Sequence, residues 1–408
     1  MRITILNQFY VPGLAPTGHL AASLADHRAS LGDQVTVVTS RGGYIAAERH
    51  DEASGQDNPR VLRVWTPRLG KGTAFKRIAD YAFFFAQAVF RMAALPRQDL
   101  VITLTTPPFI ALAACLHKIL HRSAKVILWN MDCYPEILER TGVVQEGSLL
   151  DRFLLAVNRA IYARLDHVVC LDSAMLRLLS SQYIRSRGRP AASVIPNWEP
   201  LKLFPAELQA PAWNLPGELG IEGHFIALYL GNAGFGHRFE IVMDAASRLQ
   251  DDRVDFLFVG GGEKWPWLEK ECFSRSLTNV HLQSYVPKEL TPTIMAASDC
   301  ALITMNEAAL GVISPSKLHS NLAMGLPIIY IGPEGSNVDD AVQRFDVGCS
   351  LREDDLEGLV RFIRRIRSDP ALYQHYTTNA RRAFETEYAD SASLPKFDQL
   401  ISDLVGSS

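Results

Sequence analysis

The sequence has no run that reaches the ~18 uncharged apolar residues needed to span a bilayer. Its opening, MRITILNQFY, has no basic n-region, apolar core or small-residue cleavage site, so a cytoplasmic chain is expected. It holds only six cysteines (Cys115, Cys133, Cys170, Cys272, Cys300, Cys349), far apart and without a CxxC spacing. That argues against a disulfide framework or a zinc site and fits reduced, mostly buried thiols. GxGxxG and GxxxxGK[ST] are both absent, so NAD and P-loop chemistry has little support. With no HExxH and no DxD, neither a metal nor another cofactor is expected. Low-complexity stretches and short internal repeats are also missing. The net charge is −3, with 48% apolar and 21% charged residues, which is ordinary soluble composition. Charge is nevertheless uneven: residues 1–200 carry +7 and the remainder −10. The basic half could meet phosphates, nucleic acid or an anionic membrane surface, unless the difference is only drift between two solvated faces; with the motifs below, no nucleic-acid partner is expected.

What is present is an alternation of strand and helix patterns in a chain of 408 residues, a length that suits two domains. Strands are expected at 2–6, 34–39, 61–65, 100–104, 125–129, 167–171 and 193–195. Between them, helices are expected at 19–30, 77–94, from Pro107-Pro108 to His121, at 148–164 and from Asp172-Ser173. Residues 199–222 are proline-rich and weakly periodic, as a linker would be. The alternation then restarts, with strands at 225–230, 255–259, 280–282, 300–304 and 327–331. Helices are expected at 237–249, 263–272, 288–297, 316–324, 355–367, 371–387 and 391–405. The expected fold is α/β, two doubly wound, Rossmann-like domains facing a central cleft, with ligands at the carboxyl ends of the strands. The expected division is an N-terminal domain at 1–198, the linker, a C-terminal domain at 223–385, and a final helix at 386–408.

The loops after the strands carry the candidate chemistry. The segment Ser314-Pro-Ser-Lys-Leu-His319 opens a helix, and Ser314 or Ser316 can cap it. Lys317 sits in the first turn, where a cation is unfavourable to the helix dipole. An anion there would use both the amide groups and the ammonium, although a solvated lysine is the plain alternative. Gly260-Gly-Gly262 follows a strand and allows a phosphate or sugar close to the backbone, or is simply a tight turn. Gly231-Asn-Ala-Gly-Phe-Gly-His237 is a second flexible loop, in which His237 is either a hydrogen-bond donor to ligand or a histidine near a helix start. In the N-terminal half, Gly13 and Thr17-Gly18-His19 form the matching loop. Asp132, in Trp129-Asn-Met-Asp-Cys-Tyr-Pro-Glu136, either meets a sugar hydroxyl or caps the helix near Pro135. Residues 78–95 follow Lys71, Lys76 and Arg77 and are aromatic-rich, which fits core packing or an interfacial membrane helix.

Taken in order, several segments resemble a GT-B glycosyltransferase of family 4, in the bacterial branch that builds capsule, exopolysaccharide and O-antigen. They are Leu6-Asn-Gln-Phe-Tyr-Val-Pro12, Leu104-Thr-Thr-Pro-Pro108, Trp129 to Glu136, Pro196-Asn-Trp198, Tyr229-Leu-Gly-Asn232, Phe258-Val-Gly-Gly-Gly262, Pro315-Ser-Lys-Leu318 and Ala323-Met-Gly-Leu-Pro327. The resemblance implies a nucleotide-sugar donor, UDP-linked by default, held in the C-terminal domain. The acceptor would be a glycan or polyprenyl-diphosphate-linked saccharide on the N-terminal side, at the inner membrane surface through residues 71–95. It further implies a final helix crossing back to the first domain. Transfer would retain configuration without a metal, the leaving diphosphate taking the acceptor proton. Asp132, His237 and Lys317 are then the expected catalytic residues. Donor contacts are expected from Gly18, Asn232, Gly261, Gly262, Tyr285, Val286, Ser314, Ser316, Lys317 and Leu318. Acceptor contacts are expected from Gly13, Thr17, His19 and Pro107. The sequence departs from the family pattern in two places: Asn232 and His237 stand where Arg and Lys hold the diphosphate, and about Val312 and Ser320 stand in place of a Glu-x7-Glu pair. Two other functions fit the same fold. One is a nucleotide-sugar epimerase, which needs acid/base carboxylates and no lipid-facing helix. The other is a non-catalytic nucleotide-sugar-binding or scaffold protein of a polysaccharide assembly complex.

Overall fold

In a computed structural model of the chain, the structure describes residues 1–13, 15–41, 58–67, 74–184, 190–204, 214–287 and 290–406. The chain divides into two compact units. The first comprises Met1–Pro196, Gly311–Ile313 and the residues from Leu394 onward. The second comprises Asn197–Leu310 and Ser314–Ser393.

The first unit runs β1 (Arg2–Leu6), α1 (Pro16–Ser30), β2 (Gln34–Ser40), β3 (Arg60–Val64), α2 (Ala74–Ala94), β4 (Leu100–Thr103), α3 (Ala111–Leu120), β5 (Lys125–Trp129), α4 (Glu136–Arg140), α5 (Leu149–Tyr162), β6 (His167–Cys170), α6 (Ser173–Gln182) and β7 (Ala191–Val194). Its sheet is parallel, in the order β3-β2-β1-β4-β5-β6-β7. Central strands read as continuous apolar runs because helices cover both faces. Ile3, Ile5 and Leu6 of β1 and Val126 and Ile127 of β5 are all fully buried. Helix starts follow side-chain chemistry where it is available: Ser148 accepts from Asp151 N at 3.2 Å and Asp172 from Met175 N at 2.7 Å. α2 buries Phe84, Ala88 and Met92 and exposes Phe83 and Phe90 on its other side. Lys71 lies outside the described residues.

The second unit runs α7 (Leu215–Glu218), β8 (Phe225–Asn232), α8 (Glu240–Leu249), β9 (Val254–Gly261), α9 (Trp265–Ser274), β10 (Val280–Ser284), α10 (Thr291–Ala296), β11 (Cys300–Thr304), α11 (Lys317–Ala323), β12 (Ile328–Ile331), α12 (Asn337–Phe345), β13 (Gly348–Leu351), α13 (Leu356–Ser368) and α14 (Pro370–Ala383). Its sheet is parallel too, in the order β10-β9-β8-β11-β12-β13. The core gathers Tyr229, Phe239, Phe256 and Phe258 from β8, β9 and the turn into α8 with Leu359 and Ile363 of α13. A π-helical turn at Phe384–Tyr388 leads to α15 (Asp390–Gly406), which from Leu394 counts with the first unit. There Phe397 packs on Trp129 at 4.8 Å, and Asp398 meets His27 Nε2 at 2.8 Å and Arg28 NH1 at 2.7 Å.

Several boundaries differ from the sequence reading. Pro107 and Pro108 lie in a turn and the helix starts only at Ala111. His237 lies in a loop, since α8 starts at Glu240. β13 and α12 were not expected. Within 199–222 the chain forms a 3-10 turn at Leu201–Leu203 and the short α7, and Glu199 bridges to Ala389 in the second unit; residues 205–213 lie outside the described residues, as do 288 and 289 of the expected 288–297 helix. No helix among the described residues is long and apolar enough to cross a membrane.

Candidate functional site

In the second unit the carboxyl ends of β8 and β9 run on together, Gly231 pairing with Gly260 and Asn232 with Gly261. Only glycine serves at 262. Its φ is +125°, and a Cβ there would lie 2.5 Å from Asn232 Oδ1. The glycine run thus makes the tight turn and also leaves bare backbone at the sheet edge. Gly261 lies beside the exposed ring of Tyr285, whose hydroxyl donates to Asn232 Oδ1 at 3.3 Å. The neighbouring Val286 is half-buried.

Lys317, the first residue of α11, reaches into this edge. Its Nζ donates to Asn232 O at 3.2 Å and to His237 Nε2 at 3.2 Å, and stands 4.9 Å from the Tyr229 ring centroid. His237 Nδ1 donates to the Thr304 carbonyl at 2.8 Å, which leaves Nε2 as the bare acceptor that faces the ammonium. Burial, and then the Lys317 charge, pushes the His237 imidazole down to about 3, so it is neutral. Burial also brings the Lys317 ammonium down to about 8. No carboxylate pairs with Lys317 among the described residues. A desolvated cation held by two neutral acceptors is poised for an external anion.

The rest of the expected donor set is arranged unevenly. Ser316 occupies the N-cap position of α11, but its backbone is helical (φ −71°, ψ −17°) and its side chain makes no cap bond. Ser314 is half-buried just before it, and Pro315 O instead accepts from Asn337 Nδ2 at 3.3 Å. The capping expected of these serines is therefore not made. Leu318 is fully buried, which leaves only its backbone for a ligand. Gly18 belongs to the first unit.

In the first unit the carboxyl edge is tied by backbone bonds between loops. Gln8 N donates to Thr106 O at 3.0 Å, and Gln8 O accepts from Thr39 Oγ1 and Ser40 Oγ. Thr105 Oγ1 accepts from Met131 N at 3.3 Å and Asp132 N at 3.2 Å, joining the loops after β4 and β5. Pro107 is buried beside them. Asp132 does not cap the following helix, since Pro135 holds the N-cap position of α4. Its carboxylate has no hydrogen-bond partner among the described residues, and burial lifts it to about 6. A cavity of about 20 Å³, room for one water, lies against Asp132, Thr105 and Asn130. At the start of α1, Gly18 packs so closely that a Cβ would lie 3.0 Å from Tyr10 N. Gly13 closes the turn above by donating to Tyr10 O at 3.0 Å. Thr17 and His19 flank Gly18 and are half-buried.

Sequence reasoning missed Tyr229, Thr304 and Thr105. Tyr229 walls the Lys317 ammonium, Thr304 fixes the His237 tautomer, and Thr105 holds the Asp132 loop. Two had a signal: Thr105 follows a buried strand directly, and Tyr229 opens the segment Tyr229-Leu-Gly-Asn232.

Residues 17–198 match the family model described as glycosyl transferase 4-like domain, and residues 224–369 match the one described as glycosyl transferases group 1. A curated relative is the putative colanic acid biosynthesis glycosyl transferase WcaI of Escherichia coli (strain K12). It is 25% identical over 388 residues, covering 90% of this chain and 92% of the relative. Among solved structures, sucrose-phosphate synthase from Thermosynechococcus elongatus aligns with a TM-score of 0.71 at 17% identity over 100% of both chains. Anabaena HepE in complex with UDP aligns at 0.68 and 15% identity, covering 99% of this chain and 100% of that one. These structures share the fold.

Proposed function

As the chain belongs to the GT-B glycosyltransferases of the family 4 type found in bacterial polysaccharide synthesis, we propose that it transfers a sugar from a UDP-sugar to a glycan or polyprenyl-diphosphate-linked acceptor, retaining anomeric configuration. The carrying observation is Lys317, a desolvated ammonium without a carboxylate at a glycine-lined sheet edge. The UDP complex of a structural neighbour supports uracil as the base.

In this reading Lys317 and the backbone around Asn232, Gly261 and Gly262 hold the donor diphosphate. Charge grows on that group as the bond from the anomeric carbon to the β-phosphate oxygen breaks, and a fixed cation stabilises it most in the transition state. His237 accepts from Lys317 and aims it. The acceptor oxygen forms the new bond on the same face, and its proton passes to the departing phosphate. Asp132 accepts a hydrogen bond from a sugar hydroxyl, with Gly13, Thr17, His19 and Pro107 shaping the acceptor side. Lys317 does the work a metal would do, so the reaction is metal-independent. The exposed Phe83 and Phe90 of α2 support peripheral contact with the cytoplasmic face of the inner membrane.

A thermal-shift panel of UDP, GDP, dTDP and their sugars tests this, with Lys317→Ala beside wild type. Stabilisation of wild type alone by UDP is the expected result. Turnover with the matching UDP-sugar should then require acceptor, which separates transfer from epimerisation. A second reading, a non-catalytic nucleotide-sugar binder, draws on Asn232 and His237 at the positions of the family's Arg and Lys. UDP binding without turnover with any donor and acceptor would favour it.

A further inference from the structure

A cavity of about 590 Å³ lies away from these loops, at the amino edge of the first sheet. Lys125 opens β5, and Ala191 opens β7, on its wall. Asp132 follows the other end of β5, which at ~3.3 Å per residue puts the two edges on the order of 13 Å apart. Lys118 and Ile119 close it from the end of α3, Arg164 from beyond α5, and Leu404 from α15.

The charges here do not cancel. Lys118 is used internally, donating to Asp166 Oδ2 at 2.6 Å and to Arg164 O at 2.9 Å. Asp166 also accepts from Val126 N at 2.7 Å, so its charge is spent. Arg164 NH1 donates to Ala160 O at 2.8 Å at the end of α5, a normal place for a cation. Neither explanation reaches Arg122 or Lys125, whose side chains have no partner among the described residues. Three positive charges therefore remain unpaired by carboxylate around a ligand-sized cavity. Ile119, which lines it, is 56% exposed, an apolar border to a cationic pocket.

We propose that this cavity is a second anion site, binding a phosphate or diphosphate group through Arg122, Lys125 and Arg164, with its carbon portion against Ile119 and Leu404. The group comes either from a free phosphorylated molecule or from an anionic lipid headgroup. The site is independent of donor binding, and its ligand touches α15, the helix that completes the first unit's core through Phe397.

The test uses full-length protein carrying Lys317→Ala, so that the donor edge does not contribute. Arg122→Glu with Lys125→Glu is added to it, and Arg361→Glu with Arg367→Glu, on an exposed face of α13, serves as the charge-matched control. Sodium pyrophosphate titrations report the free anion. Co-sedimentation with vesicles of equal phosphatidylglycerol and phosphatidylcholine, against phosphatidylcholine alone, reports a headgroup. At least one probe should lose tenfold or more in affinity with the Arg122/Lys125 reversal and less than twofold with the control. Loss of pyrophosphate alone identifies a free anion, and loss of anionic vesicles identifies a headgroup. If neither probe binds at millimolar concentration, or if both reversals weaken binding equally, the proposal falls.

Discussion

At the carboxyl edge of the first sheet, Asp132 is an acid that burial holds up to about 6. At the corresponding edge of the second, Lys317 is a base that burial brings down to about 8. Both are penalised by the loss of water, and neither has a side-chain partner of opposite charge among the described residues. They differ in what surrounds them. Lys317 is held by a carbonyl and an imidazole nitrogen whose tautomer is fixed from behind, whereas the Asp132 carboxylate is bare and only its own amide is anchored, by Thr105. In the proposed reading, an edge that grips a charge before its ligand arrives suits tight binding of one invariant group, the diphosphate. An edge with a bare carboxylate suits a hydroxyl that need engage only during transfer. Similar architecture would then serve two kinds of recognition, with the loops deciding which.

The largest effect that should split the two edges is Lys317→Ala. It should lower kcat/KM by about 10²–10³-fold, the usual cost of losing one preorganised group at developing charge, and weaken UDP in calorimetric titration. Asp132→Asn should lower kcat by about 10–100-fold, the worth of a charged hydrogen bond, while UDP affinity changes less than twofold. Equal loss of UDP affinity in both variants would erase the distinction.

The pH profile sharpens it. The Asp132 carboxylate is present above about 6 and is lost as pH falls through that value. The Lys317 ammonium is present below about 8 and is lost as pH rises through it. The profile of kcat/KM should be a bell between these values, falling about tenfold per pH unit on each side. Asp132→Asn should remove only the acid limb, and Lys317→Met only the alkaline one.

The smallest effect is on stability. The folded pKa of Lys317 lies below its unfolded value, so the unfolded chain binds more protons between about 8 and 10.5 and stability rises with pH across that window. At neutral pH the charged lysine is a net cost. Lys317→Met should therefore raise ligand-free stability by about 1 kcal/mol, roughly 2–4 °C in Tm, with the gain fading above pH 10. An unchanged or lower Tm at pH 7 would show that the bonds to Asn232 and His237 outweigh desolvation.

Much of the fold could be read in advance where burial on both faces writes an apolar run. β5 and β11 have the expected limits, Lys125–Trp129 and Cys300–Thr304. β13 was not legible, because Gly-Cys-Ser-Leu is a four-residue edge strand, half-buried throughout, with no periodicity to detect. α12 was missed as well, although Ser336 caps it, because its Asn-Val-Asp-Asp start reads as a polar loop. In the candidate site, Lys317 stood out because a lysine at a helix start is locally unfavourable. Tyr229 and Thr304 gave no such sign: they are ordinary strand residues whose roles come from what crosses over them. The serine caps failed for a related reason. Ser316 is already helical, so its hydroxyl does not point back at the amides it was expected to satisfy.

The first unit draws its last residues from beyond Leu394, and among them Phe397 and Ile401 are fully buried. On the ribosome these residues emerge long after Pro196. At roughly 5–20 residues per second, about 200 intervening residues take roughly 10–40 s to synthesise. Throughout that interval the nascent first half has Trp129 without its aromatic neighbour and Arg28 without Asp398. Its folding is completed only after the second unit has been synthesised, and a chaperone that shields the Trp129 face would act during that time.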